Sequence, residues 1–350
     1  MKRWGLVILT LLTLVMVAAA AQQVWRVMQR TSTPAVTAPP TAVAATTTTP
    51  SPIPPTSHIT HTPSAVSDTP TARVASATRV LPSTTPTPVP QGYIAYRLKD
   101  GDNLADIALA AGSTVAFIQA FNRFGGEPAP LRPLIIPQIA GAPSTLTSQA
   151  IIVQRGANRP AVALTFDAGA SSAPTTSMLD TLASRNIRVT FFLTGTWIRT
   201  NPDLTRRIVA DGHEIANHST SHPDFTTITD AQIQQELNDM AQALRETTGT
   251  LPAPYFRPPF GAYNEPVLRT VIGTGYLPIF WTLDSLDSVG DPKTPEFLVD
   301  RLTNTLTPEK LNGAILLVHC GSQATADALP AILDEFAKRG IIVTTLSQVL

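Results

Sequence analysis

Cysteine is nearly absent. The 350-residue chain holds one, Cys320, so no intrachain disulfide can form and covalent staples play no part in its folding. Charge is also scarce: charged residues make up 14%, with 25 basic against 25 acidic side chains. A balanced and thin distribution of this kind offers no basic surface to follow a phosphate backbone, which argues against a nucleic-acid partner. Histidine is rare as well, with six in the whole sequence, and two of them stand four apart at His218 and His222. That spacing puts both side chains on one side of a helical turn, where two imidazole nitrogens could reach one metal ion. Two ligands do not make a site, so the remaining sequence must supply partners.

The length allows a sizeable core and more than one domain. Residues 1–30 begin with Lys2-Arg3 and continue into the uncharged apolar run Gly5–Ala21. Positive charge ahead of such a run is an export pattern, and Ala19-Ala20-Ala21 offers a cleavage site. The run is also nearly long enough to span a bilayer, so a retained membrane anchor is an equal reading. Either way the expected location is secreted or membrane-anchored, facing the cell wall. Residues 31–91 are Thr, Pro, Ala, Ser and Val with no apolar periodicity, as in Thr46–Pro50 and Thr84–Pro88. Proline removes backbone donors, so this stretch reads as a disordered, extended stalk, and His58 and His61 within it are not preorganised to bind metal.

Order resumes at Gly92. Tyr96-Arg97-Leu98 has a strand pattern, and Asp100-Gly101-Asp102-Asn103 is a turn able to cap a helix. Leu104, Ile107, Ala108 and Ala111 follow at helical spacing, a second helix fits Val115–Asn122, and Leu134–Pro137 closes the unit as a strand. The result, residues 92–138, is a βααβ module of about 45 residues, small for a core that stands alone. It resembles the LysM domain through Tyr-x-Leu-x-x-Gly-Asp-Asn-Leu-x-x-Ile-Ala at Tyr96–Ala108, Asn122, and Leu-Ile-Ile-Pro at the end. The resemblance implies binding of N-acetylglucosamine-containing glycan by Gly101, Asp102, Asn103, Leu104 and Leu134. Leu131-Arg132-Pro133 departs from the usual Pro-Gly-Gln on one lip of that groove.

After a linker at 139–150, strand and helix patterns alternate from 151 to 350, which implies a parallel α/β sheet, open or closed into a barrel. Expected strands are Ala161–Phe166, Ile187–Leu193, His213–Asn217, Tyr276–Leu283 and Ala314–Val318. A long amphipathic helix follows Thr229-Asp230, with Ile233, Leu237, Met240 and Leu244 on one face. Chemically capable residues come directly after strands: Asp167, His218, Arg257, Asp284 with Asp287, and His319. In a parallel barrel the C-terminal strand ends form the catalytic face. Solvated loop charges would be mostly Lys and Glu, and this set is not.

These residues resemble, in order, five motifs of the polysaccharide deacetylase (NodB-homology) family. They are Thr165-Phe166-Asp167, His218-Ser219-x-x-His222, Arg257-Pro258-Pro259-Phe260-Gly261, Asp284-Ser285-Leu286-Asp287 and Leu317-Val318-His319. The resemblance covers about 154–350 and implies a distorted (β/α) barrel that removes acetyl groups from N-acetyl sugars with a divalent metal. Zinc stands first, with cobalt or nickel as alternatives. It implies metal ligands His218 and His222, a general base Asp167 oriented by Arg257, and a general acid His319 held protonated by Asp287. The Phe260 N–H would help hold the oxyanion, where Tyr is usual. The partner implied is cell-wall glycan, peptidoglycan ahead of a chitin-like polymer.

Two departures stand out. The second Asp of the family's first motif, a metal ligand, is Ala168 here, as in branches that include N-acetylmuramic acid deacetylases. The Trp that often follows the fourth motif is Ser288. The first departure keeps open a rival reading, a catalytically inactive deacetylase fold that only binds glycan at the envelope; an ester-directed or lactam-forming branch is a third. Elsewhere, His213 reads as a satisfied core histidine, Asp284 as a polar anchor or cap, and Trp197 and Trp281 as core. Cys320 has no base assigned to it.

Overall fold

A computed structural model describes residues 89–139 and 141–350; the expected leader or anchor and almost all of the expected stalk lie outside the described residues. The first element, β1 (Gly92–Arg97), pairs antiparallel with β2 (Pro133–Gln138), and between them run α1 (Leu104–Ala111) and α2 (Val115–Phe121). The caps are those that the turn residues favour: Asn103 accepts from the Asp106 N–H and Thr114 from the Phe117 N–H. Strand alternation gives this two-stranded sheet two apolar faces. Ile94, Tyr96, Leu134 and Ile136 pack with Leu104, Ile107 and Ile118 of the helices. Ala95 and Ile135 face the other way and join Tyr255, Ile272, Leu277 and Leu346 of the large domain. That second burial explains how so small a unit keeps its shape.

Residues 141–150 do not hang free. The Gln149 N–H donates to the Ala95 carbonyl, and the Ala95 N–H to Ser148 Oγ, so this segment runs beside β1. At the same junction Glu214 accepts from Thr190 Oγ1 and the Ser347 N–H, and Arg132 Nη2 reaches the Ser347 carbonyl.

The large domain is built on an eight-stranded sheet whose pairings are parallel. In chain order come β3 (Ala161–Ala168), α3 (Thr175–Ser184), β4 (Thr190–Leu193), α4 (Gly195–Thr200), α5 (Pro202–Ala210), β5 (Glu214–Asn217) and α6 (Asp230–Thr248). Then follow β6 (Tyr255–Phe256), α7 (Glu265–Gly273), β7 (Leu277–Pro278), β8 (Leu283–Asp284), α8 (Pro295–Asn304), α9 (Pro308–Leu311), β9 (Ile315–His319), α10 (Gln323–Lys338), β10 (Ile342–Thr344) and α11 (Leu346–Val349). The strand order is β7-β6-β5-β4-β3-β9-β8, with β10 also on β3. Edge strands β7 and β8 are not paired with each other in that order; Val153 bridges to Ile279 and Arg155 to Ala314. The expected distorted barrel is thus a curled sheet that stops short of closure.

Alternation along the strands separates two cores. Val162, Leu164, Phe166 and Ala168 of β3 lie in the cluster shared with α3, α4 and α10, as do Phe191, Ile215, Leu316 and Val318. Ala161, Ala163, Phe192, Ala216, Tyr255 and Ile315 lie on the opposite face, with the β1–β2 residues packed in behind them. The helix α6 starts with a full capping box, Thr229 with Gln232, and buries the expected stripe of Ile233, Leu237, Met240 and Leu244.

One long strand expected at Tyr276–Leu283 is two short ones. The Phe280 carbonyl accepts from Arg257 Nη2, and Phe280 and Trp281 stack at 3.9 Å, so the chain leaves the ladder between them. If the β1–β2 sheet and the barrel share one core, Ile135→Ala should lower stability by about 2–5 kcal/mol and keep a single urea transition. Two separated transitions in the wild type would contradict the shared core.

Candidate active site

The parity that divides the cores also collects the polar residues. Asp167 and His319 are register partners on β3 and β9, both offset by one from the helix-facing positions Phe166 and Val318. His218 and Arg257 each follow the last residue of β5 and β6, which are paired at Asn217 and Phe256. All four therefore belong to the face away from the helices, at the C-terminal strand ends. Asp167, His218 and His319 line a cavity of about 500 Å³ together with His222, Phe260 and Trp281, among others, and Arg257 is buried behind Asp167.

Arg257 is fully buried and donates from Nη1 to Asp167 Oδ1 at 2.6 Å. Its guanidinium also sits 4.1 Å over the Phe192 ring and reaches the Phe280 carbonyl at 3.3 Å. Burial pulls its pKa down and the Asp167 charge opposes that fall. The Arg257 carbonyl has a second task. His218 Nδ1 lies 2.9 Å from it, and a carbonyl can only accept, so Nδ1 carries the proton and Nε2 keeps its lone pair in the neutral ring. Burial brings the His218 pKa down to about 4, with Asp167 pulling the other way, and burial likewise lowers that of His222. His218 Nε2 is 3.5 Å from Asp167 Oδ2, and the two imidazole centroids are 4.9 Å apart.

The histidine pair is not on a helical turn, contrary to the reading from spacing. Ser219 and His222 have positive φ, 68° and 63°, and the stretch is a tight loop. Asn217 Oδ1 accepts from the Ser219 N–H, and Ser219 Oγ from the His222 N–H. Glu236 on α6 accepts from the N–H groups of Thr220 and Ser221. Sequence reasoning missed Glu236; its one signal was an acid three residues after Ile233, beside the buried stripe.

On the strand next to Asp167, His319 Nδ1 lies 2.7 Å from Asp287 Oδ1, while Asp287 Oδ2 accepts from the His319 N–H and from Thr325 Oγ1. Burial acts to lower the His319 pKa, but the hydrogen bond to Asp287 and the charges of Asp167, Asp287 and Asp284 outweigh it and raise it above 6.5. Phe260 has φ 58°, packs its ring edge-on to His222 at 4.5 Å, and is 72% exposed as a residue. Its N–H donates to no protein acceptor among the described residues. Asp284 caps the turn by accepting from the Leu286 N–H. Trp281, expected in the core, lines the cavity instead, held there by its stack on Phe280. Trp197 is core. His213 is buried as expected but not satisfied: Nδ1 accepts from the Val189 N–H and Nε2 has no partner.

The small module requires a correction. Gly101, Asp102 and Asn103 are exposed, but Leu104 and Leu134 are 1% and 0% exposed and sit in the helix-side core, so neither side chain can touch a glycan. Asp102 is spent on Tyr96 and the Lys99 N–H, and Asn103 on its cap.

Among the described residues no group of three or more His, Cys, Asp or Glu is arranged to hold a metal. Ala168, at the position of the missing Asp, has its methyl in the helix-side core. What remains is two neutral imidazoles beside a carboxylate. That donor set suits a divalent cation, with imidazole nitrogen the stronger part of it.

A family model for polysaccharide deacetylase matches residues 154–279. The chain is 34% identical over 188 residues to peptidoglycan-N-acetylmuramic acid deacetylase PdaA of Bacillus subtilis, covering 53% of this chain and 70% of that protein. The solved structure of PdaA superposes with a TM-score of 0.54 at 32% identity, over 57% of this chain and 85% of that one. A pseudoenzyme of carbohydrate esterase family 4 from Bacillus anthracis aligns with a TM-score of 0.53 at 25% identity, over 57% and 69% of the two chains. The chain belongs to the polysaccharide deacetylase family.

The raised His319 pKa means the protonated ring is the folded-state preference, so its contribution to stability is full below 6.5 and is lost as pH rises through the folded value. His218 runs the other way: its contribution is full above 6.5 and is lost as pH falls toward about 4. NMR titration should place His319 above 6.5, and Asp287→Asn should bring it down; an unchanged midpoint in that variant would show that Asp287 does not set it.

Proposed function

We propose that the protein is an exported, metal-dependent deacetylase that removes acetyl groups from N-acetyl sugars of cell-wall glycan, with peptidoglycan ahead of chitin-like polymers. One observation carries this reading: two neutral imidazoles, the Arg257-paired Asp167 and the His319 ring held by Asp287 converge on one cavity. Amide hydrolysis needs a base on one side of the carbonyl and an acid on the other, since an amine leaves poorly without a proton. The PdaA likeness favours a peptidoglycan substrate. A chitooligosaccharide deacetylase of Sinorhizobium fredii, 29% identical over 56% of this chain and 95% of that one, keeps chitin-like oligomers in view.

His218 and His222 would hold the cation, zinc first and cobalt or nickel as alternatives. Such a cation supplies Lewis acidity, polarising the acetyl carbonyl and acidifying water beside it. Asp167 takes the proton of the attacking water. The Arg257 Nη1 hydrogen bond to Oδ1 holds that carboxylate in place and leaves Oδ2 on the side of His218. The Phe260 N–H donates to the developing oxyanion. His319 gives its proton to the departing nitrogen, and Asp287 holds the ring and keeps it charged until then. The 92–138 module is a LysM-like tether that raises the local glycan concentration, through the exposed Gly101–Asn103 turn.

The rival reading, an inactive glycan-binding envelope protein, has Ala168 in its favour, together with the likeness to the Bacillus anthracis pseudoenzyme. Acetate release from peptidoglycan or N-acetylglucosamine oligomers, with Zn²⁺, Co²⁺ or Ni²⁺, separates the two. The enzyme reading expects release that falls at least about 100-fold in Asp167→Asn and His319→Ala, and metal content that drops in His222→Ala. No release with any metal, alongside retained pelleting on peptidoglycan, would establish the inactive form.

A further inference from the structure

Ser288 stands where the family resemblance expects a tryptophan, and its surroundings are those of a nucleophile. Its Oγ lies 3.3 Å from His319 Nε2. The other nitrogen of that ring is 2.7 Å from Asp287 Oδ1. The Asp287 side chain is wholly buried, and its second oxygen is fixed by the His319 N–H and Thr325 Oγ1. A hydroxyl on one ring nitrogen and a buried, oriented carboxylate on the other is the arrangement that activates serine for attack on a carbonyl. A Ser288–His319 spacing of 3.3 Å is within the range that tightens on binding.

The hydroxyl is reachable. Ser288 is exposed and lines both the main cavity and an adjoining one of about 190 Å³, shared with Gly169, Ala170, Ser171, His319 and Gly321. Gly169 and Ala170 line both cavities with Ser288, and their N–H groups donate to no acceptor among the described residues and are available to an oxyanion. The deacetylation proposed above makes no use of this hydroxyl.

We propose that Ser288, His319 and Asp287 form a serine triad with a second, metal-independent activity toward acetyl esters. With the His319 ring neutral, its Nδ1 proton toward Asp287 and its Nε2 lone pair toward the hydroxyl, Ser288 Oγ bonds to the ester carbonyl carbon as its proton passes to His319 Nε2. The bond from that carbon to the alcohol oxygen breaks, the proton from His319 goes to that oxygen, and the alcohol leaves an acetyl-Ser288 ester. Water then attacks the acetyl carbon, giving its proton to His319, which returns one to Ser288 Oγ as acetate departs. An ester fits this route because its alcohol leaves without the carbonyl polarisation that an acetamide requires. The route shares the cavity with the deacetylase reading but not its histidine pair.

The test uses the full chain stripped of metal with a chelator. It is treated with an alkyl fluorophosphonate or, in a quench experiment, with 4-nitrophenyl acetate, and followed by intact mass and peptide mapping. The triad predicts one phosphonyl or acetyl adduct on Ser288, absent in Ser288→Ala and formed at least about tenfold more slowly in Asp287→Asn, with circular dichroism verifying that both variants fold. Wild-type protein that takes no adduct, or an adduct mapped elsewhere or persisting in Ser288→Ala, overturns the proposal. Because no metal is present, neither outcome bears on metal-dependent acetate release from glycan.

Discussion

The Arg257–Asp167 pair is the contact on which the site depends. Removing two charges from water costs several kcal/mol per ion, and here both are buried: Arg257 at 0% and Asp167 at 5% exposure. The cost is met by a 2.6 Å charged hydrogen bond, the Phe192 ring face and the Phe280 carbonyl, though Arg257 Nε stays unpaired. Each of those contacts has a consequence elsewhere. The Phe280 carbonyl is lost to the sheet, which splits the strand and turns Trp281 into the cavity. The Arg257 carbonyl fixes the tautomer of His218. Asp167 is left with one oxygen bound and one facing an imidazole.

Around this pair the fold sorts chemistry by residue parity. Odd-numbered positions of β3 and β9 face away from the helices and even ones toward them, so Asp167 and His319 share a wall while Ala168 and Val318 sit in the other core. The far end of the same face is closed by Ala95 and Ile135 of the small module. One end of the curled sheet is therefore sealed by packing, and the other is open for chemistry.

Much of this was legible in the sequence, for reasons that differ by residue. The α6 stripe and its Thr229 cap follow from local periodicity, and they stand as expected. The ordering Asp167, His218, Arg257, Asp287, His319 was visible because each comes at or shortly after the end of a segment with a strand pattern. The shape of the His218–His222 loop was not, because it rests on Ser219 and His222 in left-handed conformations and on Glu236 from a distant helix. Leu104 and Leu134 were misjudged since a motif position says nothing of which way its side chain turns; the first turn of α1 points Leu104 inward and the pleat of β2 does the same for Leu134. Likewise, nothing local to Trp281 marks it as a cavity wall; its position comes from a hydrogen bond made by its neighbour's carbonyl. Ser288 was visible only as a missing tryptophan, and its relation to His319 arises where β8 and β9 meet.

The most direct measurement is a double-mutant cycle on the central pair, using urea unfolding of Arg257→Met, Asp167→Leu and the combination. If the pair is a buried, mutually dependent unit, each single change leaves one charge uncompensated, and the coupling should exceed about 3 kcal/mol. Coupling below about 1 kcal/mol, the level of exposed ion pairs, would contradict the account.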